Sequence, residues 1–164
     1  MLFDLQVEFK MLAIRHNGSE DENLLFNEMS SNFGLIEYLS ISNVYDHSFR
    51  LVFTSWPQEI TIMRSAWFTL KYVLACTCTR ITLKGSRLGN KDLDEVLRKW
   101  KAGGFGNMER LKIYSKNIKN NRTKILGMSL SELEGKVIQS ENGLKKATIT
   151  TNVRSIEMSV TPFE

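Results

Sequence analysis

Five short runs with leucine or isoleucine at every second position recur along this chain: Leu12-x-Ile14, Leu39-x-Ile41, Ile60-x-Ile62, Ile81-x-Leu83 and Leu111-x-Ile113. Their first residues stand 27, 21, 21 and 30 positions apart. Alternation with period two marks a strand with one buried face. Intervals of roughly 20–29 residues are those of leucine-rich repeats, in which each unit contributes one strand and one return segment. Two of the runs are closer still, because Ile36–Ile41 and Met108–Ile113 both read apolar-Glu-x-Leu-x-Ile. Strands joined by helical crossovers run parallel, and the connections share one hand.

Helical signals fill several of the gaps. Ser19 and Glu22 have the spacing of a capping box ahead of Leu24, Leu25, Phe26 and Met29. Ser65 is placed to cap a helix carrying Ala66, Leu70, Val73 and Leu74. In 90–101, Leu93, Val96, Leu97 and Trp100 share one helical face, with Asn90 placed to accept from an orphan N–H at the start and Gly103 to end the helix. Asp92, Asp94 and Glu95 suit its positive end and Arg98, Lys99 and Lys101 its negative end. Between Asn43 and Trp56 no helix is legible, and Phe49–Phe53 fits either a turn of helix or an edge strand. Past Lys124 the pattern changes: Val137-Ile138, Ala147-x-Ile149 and Ile156-x-Met158-x-Val160 are strand-like, with turns at Glu141-Asn142-Gly143 and Asn152-Val153-Arg154.

The expected fold is therefore α/β: a short leucine-rich-repeat-like parallel sheet with helices on one side, plus a C-terminal antiparallel β meander. Residues 1–116 form the repeat-like region, 117–133 a basic loop or linker, and 134–164 the antiparallel strands packed on the same domain. Three such strands are marginal alone, so they are expected to cover the otherwise unpaired edge of the parallel sheet.

At 164 residues and 42% hydrophobic content the chain is long enough for one domain with its own core. Cys76 and Cys78 are its only cysteines, too close together to close a useful disulfide loop and too few for a zinc site, which points to a reducing compartment. Asp4 and Glu8 interrupt the N-terminus, and Lys71 interrupts the longest apolar stretch, so neither a secretory signal nor a membrane span is expected. The expected location is intracellular, cytoplasmic or nuclear, and the sequons at Asn17 and Asn121 then count as chance matches. The net charge of +4 hides an asymmetry: residues 1–42 carry −5 and the remainder +9. Arg110–Lys124 holds six basic residues and no acidic one. Read as a nucleic-acid interface, this segment would neutralise phosphates, but no aromatic interleaves its cations as a stacking platform.

Catalysis requires convergent groups, and they are not legible here. His16 and His47 are isolated. Cys76-Thr77-Cys78 lacks the two-residue spacer of thiol redox sites and reads as core. Gly103-Gly104-Phe105-Gly106 follows a helix where a phosphate-cradling loop precedes one. The acids of 92–95 are helix-start charges, and neither an enzyme nor a cofactor is expected. Trp67 and Trp100 read as core, while Trp56, before Pro57, could anchor the loop or a partner.

The segment Ile81-Thr82-Leu83, Ser86, Leu88, Asn90-Lys91-Asp92-Leu93-Asp94, Leu97, Trp100, Gly103-Gly104, Asn107, Glu109-Arg110-Leu111 and Ile113 resembles the type 2 F-box-associated domain of nematode F-box proteins. Trp56-Pro57-Gln58-Glu59-Ile60-Thr61-Ile62 with Ser65 and Trp67 is similar to the start of that domain, so the resemblance covers 56–115. Glu141-Asn142-Gly143 and Ala147-Thr148-Ile149 are similar to its tail. The resemblance implies a substrate-recruiting subunit of a cullin-type ubiquitin ligase, in which the F-box docks on a Skp-type linker and the associated domain holds a target. A strand-like run is under way by Lys10, which leaves no room for an F-box, so the chain is expected to be a fragment of a longer protein or a member without the F-box. Target binding is then implied without ligase assembly, and a Skp-type linker becomes a partner only if a longer form carries an F-box.

In a repeat of this kind the outward strand positions form a rigid, easily varied surface. By the alternation these are Ala13, Ser40, Thr61, Thr82 and Lys112, followed by Arg15, Ser42, Lys84 and Tyr114. The candidate protein-binding residues are Ser40, Thr61, Thr82, Lys84, Lys112 and Tyr114. The expected function is a non-catalytic module that binds an unknown protein target. The alternatives are a nucleic-acid-binding domain using residues 110–124 and a self-associating, degenerate family member.

Overall fold

The computed structural model describes residues 10–15, 19–42 and 51–162. All eight described strands lie in one sheet of order β1-β2-β3-β4-β5-β8-β7-β6. Strands β1 (Met11–Arg15), β2 (Tyr38–Ser42), β3 (Glu59–Ile62), β4 (Arg80–Ser86) and β5 (Arg110–Ser115) pair in parallel, each with the next in sequence. The expected runs coincide with them one for one. Leu12, Leu39, Ile60, Ile81 and Leu111 stand in one row across the sheet, and Ile14, Ile41, Ile62, Leu83 and Ile113 in the next.

The rows continue into the meander. Strands β6 (Val137–Gln139), β7 (Lys145–Asn152) and β8 (Ser155–Pro162) are antiparallel to one another, and β8 pairs antiparallel with β5. Met158 and Ile149 extend the first apolar row, and Ile156 extends the second. The meander thus occupies the edge of β5 that the parallel strands leave unpaired, as expected from its sequence.

Strand order explains the layering. Each crossover in the parallel part advances by one position in the same direction, and with a constant right-handed connection every helix must fall on the same face. That face carries α1 (Glu20–Met29), a 3-10 segment Ser30–Leu35, a 3-10 turn Ser65–Trp67, α2 (Leu70–Ala75) and α3 (Asn90–Lys101), with α4 (Leu130–Leu133) beneath the meander. Their buried residues join the inward strand residues in one core cluster.

The helices differ in how well they follow local signals. In α3, Leu93, Val96, Leu97 and Trp100 are all buried, and Gly103 takes a φ of 96° just past the end, where a side chain would be strained. Its N-cap is Gly89 rather than Asn90, and the Asp92 carboxylate accepts from the Gly89 N–H at 2.8 Å. Ser19 caps α1, its Oγ accepting from the Glu22 N–H at 3.2 Å, but among its apolar residues Phe26 is buried while Leu24 and Leu25 stay exposed. Ser65 does not cap a helix. It is buried and donates to the Lys84 carbonyl at 2.9 Å, and α2 starts later, after Thr69.

The core has an aromatic end. Phe53 stacks on Trp56 with centroids 4.1 Å apart and meets Phe26, Trp67, Phe68 and Tyr72 edge-on or stacked. The Tyr72 hydroxyl donates to the Leu51 carbonyl at 2.6 Å. Trp56 therefore anchors its own loop, and Leu51–Phe53 has neither regular helix nor strand. Residues 43–50, the start of the Phe49–Phe53 segment, and both His16 and His47 lie outside the described residues. Cys76 and Cys78 are buried as core residues, and the Cys78 thiol is pushed up by its hydrogen bond with Cys76 and by burial. Among the described residues no helix is long and apolar enough to cross a membrane.

The 117–133 stretch, read from sequence as a loop or linker, is tied to the domain. Ile118 and Ile125 are buried, Ile125 and Met128 pair across a turn, and Leu130 and Leu133 of α4 are buried.

Candidate protein-binding face

The strand positions between the apolar rows point away from the helices. Register places Ala13, Ser40, Thr61, Thr82 and Lys112 in one row, and the antiparallel strands lengthen it with Glu157 and Thr150. A neighbouring row runs Met11, Tyr38, Glu59, Arg80, Arg110, Ser159 and Thr148. None of these residues is buried. The result is a hydroxyl-rich panel that no described helix covers.

Four of the six sequence-derived candidates, Ser40, Thr61, Thr82 and Lys112, thus come together in a single row. Tyr114 lies two positions further along β5, opposite Ser155. Lys84 sits where the β4 pairing slips between Leu83 and Ser86. That irregularity is built by Gly85, whose φ of 65° suits glycine and whose Cβ position would stand 3.4 Å from the Arg64 Cα. Ser65 holds the adjoining Lys84 carbonyl, so this corner of the panel is fixed from the helix side.

The panel's charges concentrate at the junction of the parallel and antiparallel strands. Glu157 on β8 receives Arg110 at 2.8 Å and Lys112 at 3.5 Å. Lys112 also lies over the Tyr114 ring, 5.2 Å from its centroid. Its ammonium is held above the usual lysine value, chiefly by the Tyr114 side chain and then by the Glu157 charge, and so stays positive throughout the neutral range. Near the other end of β4, Arg80 meets Glu109 at 3.2 Å with both side chains largely exposed. Pairs this accessible are worth about 0–1 kcal/mol each, so they orient side chains more than they stabilise the fold.

Arg110, Glu157 and Thr150 were missed as members of the face. The signal was present in Ile156-x-Met158-x-Val160, whose intervening positions must point outward once β8 joins β5, but which strand β8 joins is a tertiary fact. The basic run from Arg110 to Lys124 is divided by the fold. Arg110 and Lys112 lie on the panel against Glu157, whereas Lys116, Lys119, Arg122 and Lys124 follow in the exposed segment after β5.

Residues 48–113 match the family model described as F-box associated. The matched residues run from before β3 to Ile113 within β5, and so take in the central part of the sheet with the helices between its strands. No curated protein and no solved structure matches the chain.

Proposed function

We propose that this chain is a non-catalytic protein-binding module that holds its target on the helix-free panel of the sheet. The observation that carries the reading is the row Ser40, Thr61, Thr82 and Lys112, presented by four adjacent parallel strands in register. The backbone at these positions is held by pairing on both sides, and so presents a preorganised surface whose polar positions vary without cost to the core. The five parallel strands read as a short leucine-rich-repeat-like solenoid capped by the meander.

The F-box-associated match supports a role in protein interaction, and the resemblance to the type 2 domain of nematode F-box proteins extends it. In this reading the module is the substrate-recruiting part of an F-box subunit of a cullin-type ubiquitin ligase, working inside the cell. A Skp-type linker is a partner wherever an F-box accompanies the module.

The test is replacement of Thr82, Lys84, Lys112 and Tyr114 together by alanine. Target capture by the tagged chain, scored by quantitative mass spectrometry against wild type, should fall about tenfold or more, as expected when a central contact cluster is removed. The circular-dichroism melt should stay cooperative, because none of the four side chains is buried and surface substitutions typically move stability by only about 0.5 kcal/mol each. Undiminished capture by a folded variant assigns the interaction to another surface.

A further inference from the structure

At the C-terminal end of β5 a groove of about 600 Å³ opens between the segment after the strand, α4 and the tip of the β7–β8 hairpin. That volume is within the usual range for side-chain and small-ligand pockets. Ile118 and Leu130, both buried, give it an apolar floor. Val153 stands at its rim, 83% exposed at a turn where a polar residue is ordinarily found.

Three cations, Lys116, Lys119 and Arg154, surround that floor, all exposed. Among the described residues none of them is paired with a carboxylate. The one acid in the lining, Glu134, is engaged by the Thr151 backbone N–H and, at 2.8 Å, by the Thr151 hydroxyl. Those neutral donors leave the Glu134 carboxylate charged, so the lining sets three cations against one anion, and the excess of positive charge favours an anionic partner.

The walls are held in place. Lys119 donates its N–H to the Asn90 Oδ1 at 3.0 Å, and its carbonyl accepts from the Asn90 Nδ2 at 2.6 Å. Asn117 donates to the Arg87 carbonyl at 2.8 Å, and the Ser115 N–H donates to the Arg154 carbonyl at 2.8 Å. Both cation-bearing walls are thus fastened to β5, to α3 and to the loop that precedes α3, which limits the ordering cost of binding.

We propose that this groove docks an acidic segment of a protein target, with one apolar side chain seated on Ile118, Leu130 and Val153 and flanking carboxylates facing Lys116, Lys119 and Arg154. It rests on the protein-binding reading and adds the chemistry of the partner. Asn152 in the groove pairs with Ser155, which pairs with Tyr114, so groove and panel adjoin. A single-stranded nucleic acid fits less well, because no aromatic lines the groove for base stacking.

The test is fluorescence anisotropy on the full chain with a labelled peptide of aspartate and glutamate around one leucine. Controls are the same peptide with lysines for the acids, the same peptide with glycine for the leucine, and an oligouridylate of equal charge. The acidic peptide should bind, weaken as salt rises, and lose about tenfold or more in affinity with Lys116→Glu, Lys119→Glu and Arg154→Glu combined. Val153→Glu, at a fully solvated tip, should weaken binding in a variant whose folding is not at issue. Failure of the acidic peptide to bind, binding unchanged by the charge reversals or by Val153→Glu, indifference to the leucine, or tighter binding of the oligouridylate overturns the proposal. Those failures leave the panel reading standing, because that reading is tested on the panel itself, by target capture with the Thr82, Lys84, Lys112 and Tyr114 variant.

Discussion

Trp100→Ala is expected to destabilise the domain by about 3–5 kcal/mol, the cost of emptying a large aromatic site in a close-packed core. The indole is 2% exposed on the inner face of α3, and its loss leaves Leu93, Val96 and Leu97 to hold the helix over the sheet. Domains of this size are stable by only about 5–15 kcal/mol, so the loss is a large part of the total. The melting temperature should fall by roughly 10 °C or more, and Trp100→Phe, which keeps much of the volume, should recover most of it. Thermal melts followed by circular dichroism check both. A change below about 1 kcal/mol for the alanine variant, the range of ordinary surface substitutions, would mean that α3 does not cover the core as described.

Asn90→Ala is the second large effect, and it joins stability to the groove. The Asn90 amide is buried at the first turn of α3 and donates to the Lys119 and Thr123 carbonyls at 2.6 and 3.0 Å while accepting from the Lys119 N–H at 3.0 Å. Truncation removes every one of these bonds at once, and each partner left buried without a substitute costs about 1–3 kcal/mol. The expected loss is about 2–4 kcal/mol, below the simple sum because an exposed segment regains water. Amide exchange from Asn117 to Lys124 should accelerate far more than exchange in β4. Asn90→Asp should be worse than the alanine variant at neutral pH, since it keeps the acceptor for the Lys119 N–H but sets a carboxylate against two carbonyl oxygens. Protection of the segment unchanged in both variants would show that Asn90 is not its anchor.

Asn90 also shows where sequence reasoning reaches its limit. Beside a helix start, asparagine is a cap by local chemistry, and nothing nearby reveals partners at Lys119 and Thr123, 29 and 33 residues on. The cap role fell to Gly89 because Asp92 reaches back to its N–H from inside the helix. By contrast, the apolar rows were readable because leucine and isoleucine pairs recur at the interval of one strand and one return, and a one-residue slip would turn every one of them outward. The same periodicity located Ser40, Thr61, Thr82 and Lys112 without any knowledge of contacts. It could not place Glu157 beside Lys112, since that pairing depends on which strand the meander joins. Phe53, at the centre of the aromatic cluster, lies in a stretch with no period of either kind, and α1 offered three adjacent apolar residues of which the fold buries Phe26 alone.

Site-specific photo-crosslinking tests the central claim most directly. A photoreactive amino acid is placed at the position of Thr61 or Thr82 on the panel, and in parallel at Glu95, exposed on the helical side, with each chain expressed in cells and irradiated. Discrete higher-mass adducts from positions 61 and 82, and none from 95, are the predicted result. Adducts from 95 with none from the panel would contradict the account.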